Sequence, residues 1–347
     1  MNKKKVLIMF GGKSEEHEVS VSSAYSILNA IDKTKYIPAT IGITKQGDFV
    51  ANVDPSLLIN NRDEVTLSSK PWQNTENIWV GDNWFNMINE CDIIFPILHG
   101  PGGEDGTIQG MFETLNKKYV GSGVIGSAIC MDKTITKDIL EKADIPVIPY
   151  IYFDKVDYYE NDNKYISKCL EFTYPLFVKP SCLGSSVGIS KASNEQELRS
   201  AIDFAFKYGT RVIVEQGIVG REVECSVLGN EKPKASIPGE IIANADFYDY
   251  DTKYINDNAE YEIPAVLPEP VIEQVKDISI KSFKILQCSG LARVDFFVEA
   301  ETNRVLLNEI NTLPGFTPIS MYPKLWIEEG LSYTDLITEL LELALKK

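Results

Sequence analysis

The sequence predicts an α/β domain built on a parallel sheet, followed by α+β structure with antiparallel strands. Three observations carry this. At 347 residues the chain exceeds the roughly 250 to 300 at which a single core stops growing, so two or three domains are expected. The apolar run at 6–10 ends in Gly11-Gly12 and leads into a helical pattern, as a buried parallel strand does when it enters a loop and a helix. From Ile145 the texture changes to short β-rich runs separated by turns, which places a boundary near 130–145.

Hydrophobic content of 44% and charged content of 24% match an ordinary globular protein. The 34 basic and 50 acidic residues give a formal charge of −16. That balance argues against a nucleic-acid partner, which needs clustered Lys and Arg. Six cysteines stand singly, with no Cys-x-x-Cys pair, and read as free thiols of a reducing compartment. The basic start MNKKK is followed by an apolar run too short for a signal or a membrane span, so a cytoplasmic protein with no membrane partner is expected.

Taken in order, the strand at 6–10 is followed by a helix expected over 19–31. Gly12-Lys13-Ser14 imitates the end of a P-loop but fails it, because Leu7 stands where the first glycine belongs. The loop retains Glu15, Glu16, His17 and Glu18 at a strand's C-terminal end, where open α/β sheets bind ligands. Strands are expected at 38–43 and 91–98, with an irregular stretch over 51–80. The glycine-rich loop after Leu98 carries His99, one of two histidines in the chain. Gly121, Gly123 and Gly126 match the dinucleotide fingerprint. The nearest acid, Asp144, precedes an apolar run instead of ending one, so these glycines are read as a tight surface turn. A helix over 133–142 stops at Ile145-Pro146.

Strands are then expected at 146–153, 175–179, 187–190 and 212–216, with a helix near 195–208. Lys179 ends one strand and opens the loop Ser181-Cys182-Leu183-Gly184-Ser185-Ser186, whose amides and hydroxyls suit a phosphate chain; an ordinary hairpin turn is the alternative. Glu215 and Glu222 bracket a short connection and could accept hydrogen bonds from a ribose or an adenine amino group. Residues 244–263, aromatic and acidic with little periodicity, read as a long functional lid. Amphipathic helices follow at 269–289 and 332–347.

Two apolar runs separated by Glu301-Thr302-Asn303 form a predicted antiparallel hairpin. Alternation puts Glu309 and Asn311 on one face, beside Asp295 of the neighbouring strand. Three hard oxygen donors suit Mg²⁺, which takes few protein ligands and completes its shell with substrate phosphates. A solvated hairpin with scattered acids is the alternative. With Lys179, the glycine-serine loop and Arg293, the pattern describes a site for a nucleotide, a metal and developing negative charge.

In the stretches FGGKSEEHEVS, LHGPGGEDGTIQG, VKPSCLGSSVGISK, VEQGIVGREVE, FYDYDTKY, ARVDFF and LNEINTLPGFT the chain resembles the D-alanine–D-alanine ligases of the ATP-grasp superfamily, nearly end to end. The resemblance implies a Rossmann-like N-terminal domain over 1–130, a central ATP-grasp subdomain over 131–216 and a C-terminal one over 217–347. It assigns Lys133 and Lys179 to the ATP phosphates, Glu215, the backbone at Gly217 and Ile218, and Glu222 to adenosine, and Ser186 to ATP binding. Asp295, Glu309 and Asn311 would hold two Mg²⁺, with Mn²⁺ as a substitute and monovalent cations as potential activators. Arg293 and the Gly315 amide would stabilise an oxyanion. Glu16, with His99 nearby, would take the ammonium of the first D-alanine, and Ser185 and Tyr254 would join Glu16 to close the lid. Lys253 and Ser320 would hold the second substrate's carboxylate. Tyr254 stands where relatives that form a D-lactate ester carry histidine, which implies D-alanine as second substrate. A homodimer through the N-terminal domain is also implied.

The competing readings are another carboxylate ligase on the same fold, an ATP-binding regulator, and a nicotinamide dehydrogenase. The intact set Arg293, Asp295, Glu309 and Asn311 argues against the regulator, which needs no oxyanion group. Cys182, inside the phosphate loop and near Lys179, is expected to be a lowered-pKa, reactive thiol.

Overall fold

A computed structural model describes residues 3–59, 63–69, 83–184, 187–242 and 260–347. The first sheet comprises β1 (Lys4–Gly11), β2 (Tyr36–Ile43), β3 (Phe49–Ala51) and β4 (Ile93–Ile97), in the order β3-β2-β1-β4. β1 runs parallel to β2 and β4, and β3 is an antiparallel edge. Val6, Leu7, Ile8, Met9 and Phe10 are all fully buried, as expected for a strand covered on both faces. Gly11 ends β1 at φ +91°, where a Cβ would lie 2.3 Å from the Ile43 carbonyl oxygen, so only glycine turns the chain there. Helices α1 (His17–Ala30), α2 (Ser56–Ile59), α3 (Trp84–Glu90) and α4 (Thr107–Thr114) accompany this sheet; α2 lies within the stretch expected to be irregular.

Two helices, α5 (Val124–Met131) and α6 (Lys133–Lys142), lead to an antiparallel sheet of β5 (Tyr150–Asp154), β6 (Leu176–Pro180), β7 (Ser190–Ala192) and β8 (Arg211–Gln216), ordered β5-β8-β6-β7. Helices α7 (Lys155–Glu160), α8 (Asp162–Cys169) and α9 (Glu195–Ala205) complete that unit. β7 begins at Ser190, where the sequence predicts the end of a strand, because Val187 and Gly188 still belong to the turn. The third sheet has β9 (Gly220–Gly229), β10 (Lys234–Ala235), β11 (Gly239–Ile242), β12 (Glu260–Glu262), β13 (Gly290–Glu299) and β14 (Val305–Asn311). Its order is β12-β11-β9-β13-β14, with β10 paired to β9. Helix α10 (Glu269–Ile285) lies between β12 and β13, and α11 (Met321–Glu328) and α12 (Tyr333–Leu345) follow β14. Among the described residues no helix is long and apolar enough to cross a membrane.

Packing crosses the divisions expected at 130 and 216. Cys130, Leu140 and Val147 share a core with Val223, Phe283 and Val294 of the third sheet and its helix. α12 places Leu336, Ile337 and Leu340 in the core of Val6, Ile8 and Phe10, and Tyr36 donates a 2.9 Å hydrogen bond to Glu342. The glycines of 121–126 are not a surface turn. Gly121 and Gly126 are buried, and a Cβ at Gly126 would lie 2.5 Å from the Gln287 carbonyl oxygen, so α5 approaches the end of α10 through glycine. Residues 260–262 of the predicted lid pair with β11 as strand β12, and 244–259 lie outside the described residues.

Candidate active site

The β13–β14 hairpin organises the site. Its register sets Arg293 opposite Asn311 and Asp295 opposite Glu309, with a bulge after Asp295. On the other side β13 pairs with β9, so Asp295 also faces Glu224. Arg293 donates to both Asp295 oxygens at 2.7 Å, and its Nε lies 3.0 Å from Glu224 Oε2. Asn311 Nδ2 donates to Asp295 Oδ2 at 2.9 Å, leaving its own carbonyl oxygen available.

Among the described residues no three His, Cys, Asp or Glu side chains cluster as a self-sufficient metal site. The donors here are two carboxylates and an amide. That set fits a cation such as Mg²⁺, which binds through one or two carboxylates plus phosphate oxygens and dehydrates reluctantly. Lys133 Nζ lies 3.5 Å from Glu309 and donates at 2.7 Å to the Leu183 carbonyl oxygen, linking the start of α6 to the hairpin and to the glycine-serine loop. Asp132 caps that helix, accepting from Thr134 N at 2.9 Å.

At the opposite wall Glu16 precedes α1, and a Cβ built at Gly100 or Gly184 would sit 3.7 or 3.8 Å from Glu16 Oε2. Its carboxylate therefore lies between two glycine loops. His99 Nδ1 is 2.8 Å from the Leu313 carbonyl oxygen, which can only accept, so Nδ1 carries the proton. Burial lowers the His99 pKa, with Glu16 opposing, and the neutral ring offers buried Nε2 as an acceptor. Glu16, His99, Lys133, Arg293, Glu309, Asn311 and Gly315 line one cleft. Ser320 adjoins it: its Oγ accepts from Thr317 N at 3.1 Å and lies 3.2 Å from a Cβ placed at Gly315.

Two residues escaped the sequence reading. Glu104 accepts from Gly100 N at 2.7 Å and Leu313 N at 3.0 Å, tying the loop of His99 to the loop of Gly315. Burial and then Glu16 push its pKa up to about 8. An acid inside a glycine-rich loop was the available signal. Lys137 sits beneath Glu215, 2.7 Å from Oε1, while Lys179 is 2.6 Å from Oε2. Its spacing of four from Lys133 was the signal there. Glu215 thus meets two cations, Glu222 lies on β9, and Gly217 N donates to the Pro175 carbonyl oxygen at 2.8 Å. Ser185, Ser186, Lys253 and Tyr254 lie outside the described residues.

Cys182 corrects an expectation. Its thiol is not lowered: burial and the Asp132 carboxylate, 3.4 Å away, raise its pKa, although Ser181 and Lys133 oppose them. Alkylation at neutral pH is therefore expected to label Cys182 more slowly than the same thiol in unfolded chain, and Cys182→Ser is expected to lose activity to the reagent as fast as the unsubstituted protein. Timed mass spectrometry of the labelled peptide checks both.

A family described as "D-ala D-ala ligase N-terminus" matches residues 5–122, and "D-ala D-ala ligase C-terminus" matches 139–342. The chain belongs to the D-alanine–D-alanine ligase family. A D-alanine–D-alanine ligase of Acetivibrio thermocellus is 47% identical, the match covering 100% of this chain and 97% of that protein. The Enterococcus faecalis enzyme is 46% identical over 99% of both. Among solved structures, the ligase of Coxiella burnetii is similar at TM-score 0.82 and 38% identity, covering 100% of this chain and 95% of that one. VanG, a D-Ala:D-Ser ligase of Enterococcus faecalis, is similar at 0.83 and 34%, over 99% and 100%. The family resemblance expected from the motifs is borne out. The dehydrogenase reading of the 121–126 glycines is not, because both halves of the chain match the ligase family.

Proposed function

We propose that this chain joins two D-alanines into D-alanyl-D-alanine, a peptidoglycan precursor, at the expense of ATP. One observation carries the reading: a single cleft is lined both by groups for an ammonium, Glu16 and neutral His99, and by groups for phosphate and its metal, Lys133, Arg293 and Glu309. An amino acid spanning that cleft directs its carboxylate at the nucleotide.

Glu16 pairs with the ammonium of the first D-alanine, and His99 Nε2 accepts a hydrogen bond from it. Lys133 and Lys179 neutralise the phosphates, so that the D-alanine carboxylate can attack the γ-phosphorus without repulsion, forming D-alanyl phosphate as the bond to the departing ADP breaks. Asp295, Glu309 and Asn311 are the residues to hold divalent cations, two Mg²⁺ or Mn²⁺. Such cations would supply Lewis-acid neutralisation of the phosphate charge. The amine of the second D-alanine then attacks the acyl carbon, Arg293 with the Gly315 amide stabilises the tetrahedral oxyanion, and its collapse breaks the C–O bond to inorganic phosphate as the amine loses a proton. Ser320 and Lys253 hold the second carboxylate. Ser186, Glu215, Glu222 and the backbone of Gly217 and Ile218 serve the nucleotide, while Ser185 and Tyr254 close the lid and exclude water. Tyr254 in place of histidine favours D-alanine over D-lactate. A cytoplasmic homodimer, responsive to monovalent cations, belongs to the same reading.

Phosphate release from MgATP is the test, with D-alanine alone, L-alanine, or D-alanine mixed with D-lactate or D-serine, and products weighed by mass spectrometry. Release with D-alanine matched by its dipeptide is expected, with no release for L-alanine. A mixed product predominating over the dipeptide overturns the assignment of the second substrate, and no turnover with any of them overturns the reaction.

A further inference from the structure

Lys137 has no part in the reaction described so far, and its setting is unusual for a lysine. It is 1% exposed, and its ammonium lies 2.7 Å from Glu215 Oε1 and 5.7 Å from the centroid of the Tyr150 ring. Glu215 is itself 2% exposed and meets Lys179 through its other oxygen at 2.6 Å. Lys179, 14% exposed, is the member of the three that reaches toward solvent. A lysine, a carboxylate and a second lysine thus form a row from the interior of α6 to the end of β6.

A buried carboxylate stripped of its partner is costly, so a lysine that leaves Glu215 for a phosphate must not strand it. With Lys137 in place, Glu215 keeps a cation in contact while Lys179 moves. We propose that Lys137 is a positioning residue of the ligase reaction, the resident counter-ion of Glu215 that releases Lys179 to the triphosphate. This rests on the nucleotide reading of Lys179 given above. The electrostatics agree: although burial opposes it, the two lysines hold the Glu215 carboxyl at about 2, so the carboxylate stays charged and in need of a cation. Burial lowers the Lys137 pKa, and Glu215 is the largest influence that offsets this. No other residue of α6 is both charged and buried.

The test compares Lys137→Met, Lys137→Arg, Glu215→Gln, Lys137→Met with Glu215→Gln, and Lys179→Met in the full chain. MgATP affinity is read by calorimetry, and KM is read for ATP and for D-alanine. Lys137→Met is expected to weaken MgATP at least about tenfold, because Glu215 then retains Lys179, with the KM for D-alanine little changed. Lys137→Arg should recover part of the loss. Because Glu215 also serves the nucleotide, the double variant is compared with Glu215→Gln: with no carboxylate left to hold Lys179, removing Lys137 should cost no further MgATP affinity. Undiminished MgATP affinity in Lys137→Met, equal losses for ATP and D-alanine, or a double variant weaker than Glu215→Gln would overturn the proposal. Should Lys137→Met not fold, the double variant and Glu215→Gln decide: they must bind MgATP alike, and a difference is contrary. Lys179→Met tests the underlying reading separately, because unchanged affinity there removes Lys179 from the phosphates whatever Lys137 does.

Discussion

Replacing Arg293 by methionine is expected to lower kcat by about 10²–10³-fold, the usual consequence of removing a preorganised oxyanion donor. The guanidinium is fixed before substrate arrives. Two bonds of 2.7 Å to Asp295 and a 3.0 Å approach to Glu224 hold its plane, so little reorganisation is required when charge develops in the cleft. An interaction of that kind is made in the transition state, and its loss should fall on kcat more than on the KM for D-alanine. A second effect follows from the same geometry. Asp295 and Glu224, 13% and 8% exposed, are left facing each other without their shared cation, which costs about 3–5 kcal/mol when a buried pair loses one partner. Thermal unfolding with and without Mg²⁺ separates the two, since a bound cation should restore part of the stability and none of the oxyanion contact. Lysine at 293 should rescue poorly, being a point charge where a planar fork is used. A variant with lowered stability but unchanged kcat would remove Arg293 from the chemistry.

Strand alternation explains why this part of the site was legible. Residues 293, 295, 309 and 311 are two apart within their strands, so the period of two alone puts them on one face once the hairpin is recognised. The first sheet was legible for a similar reason, because Val6 through Phe10 are apolar without interruption and Gly11-Gly12 ends the run. What failed depends on partners far along the chain. The glycines at 121–126 look alike whether they turn at a surface or admit a neighbouring helix, and only the Gln287 carbonyl decides. Cys182 was read from Lys179 three residues away, whereas Asp132, 50 positions earlier, raises its pKa. The spacing of four puts Lys137 on the helix face of Lys133, but its full burial was not legible, since charged helix residues usually face water.

Glu309→Gln and Asp295→Asn are expected to differ, although both remove one carboxylate from the same hairpin. Glu309 meets Lys133 at 3.5 Å, whereas the partner of the Arg293 fork is Asp295, so loss of Glu309 should act on the cation and on ATP. The Mg²⁺ concentration for half-maximal activity should rise by more than the 10–100-fold typical of residues that only support a metal ligand. The KM for ATP should rise with it, and excess Mg²⁺ should recover much of kcat. Asp295 both offers a ligand oxygen and accepts two hydrogen bonds from Arg293 and one from Asn311. Its amide replacement cannot accept at both positions, so Arg293 loses its fixed plane, and kcat should stay low however much Mg²⁺ is added. Titrating Mg²⁺ against kcat for the two variants distinguishes these outcomes. If Mg²⁺ rescues both equally, Asp295 does not set the orientation of Arg293, and the preorganisation argued for the oxyanion donor must come from Glu224 instead.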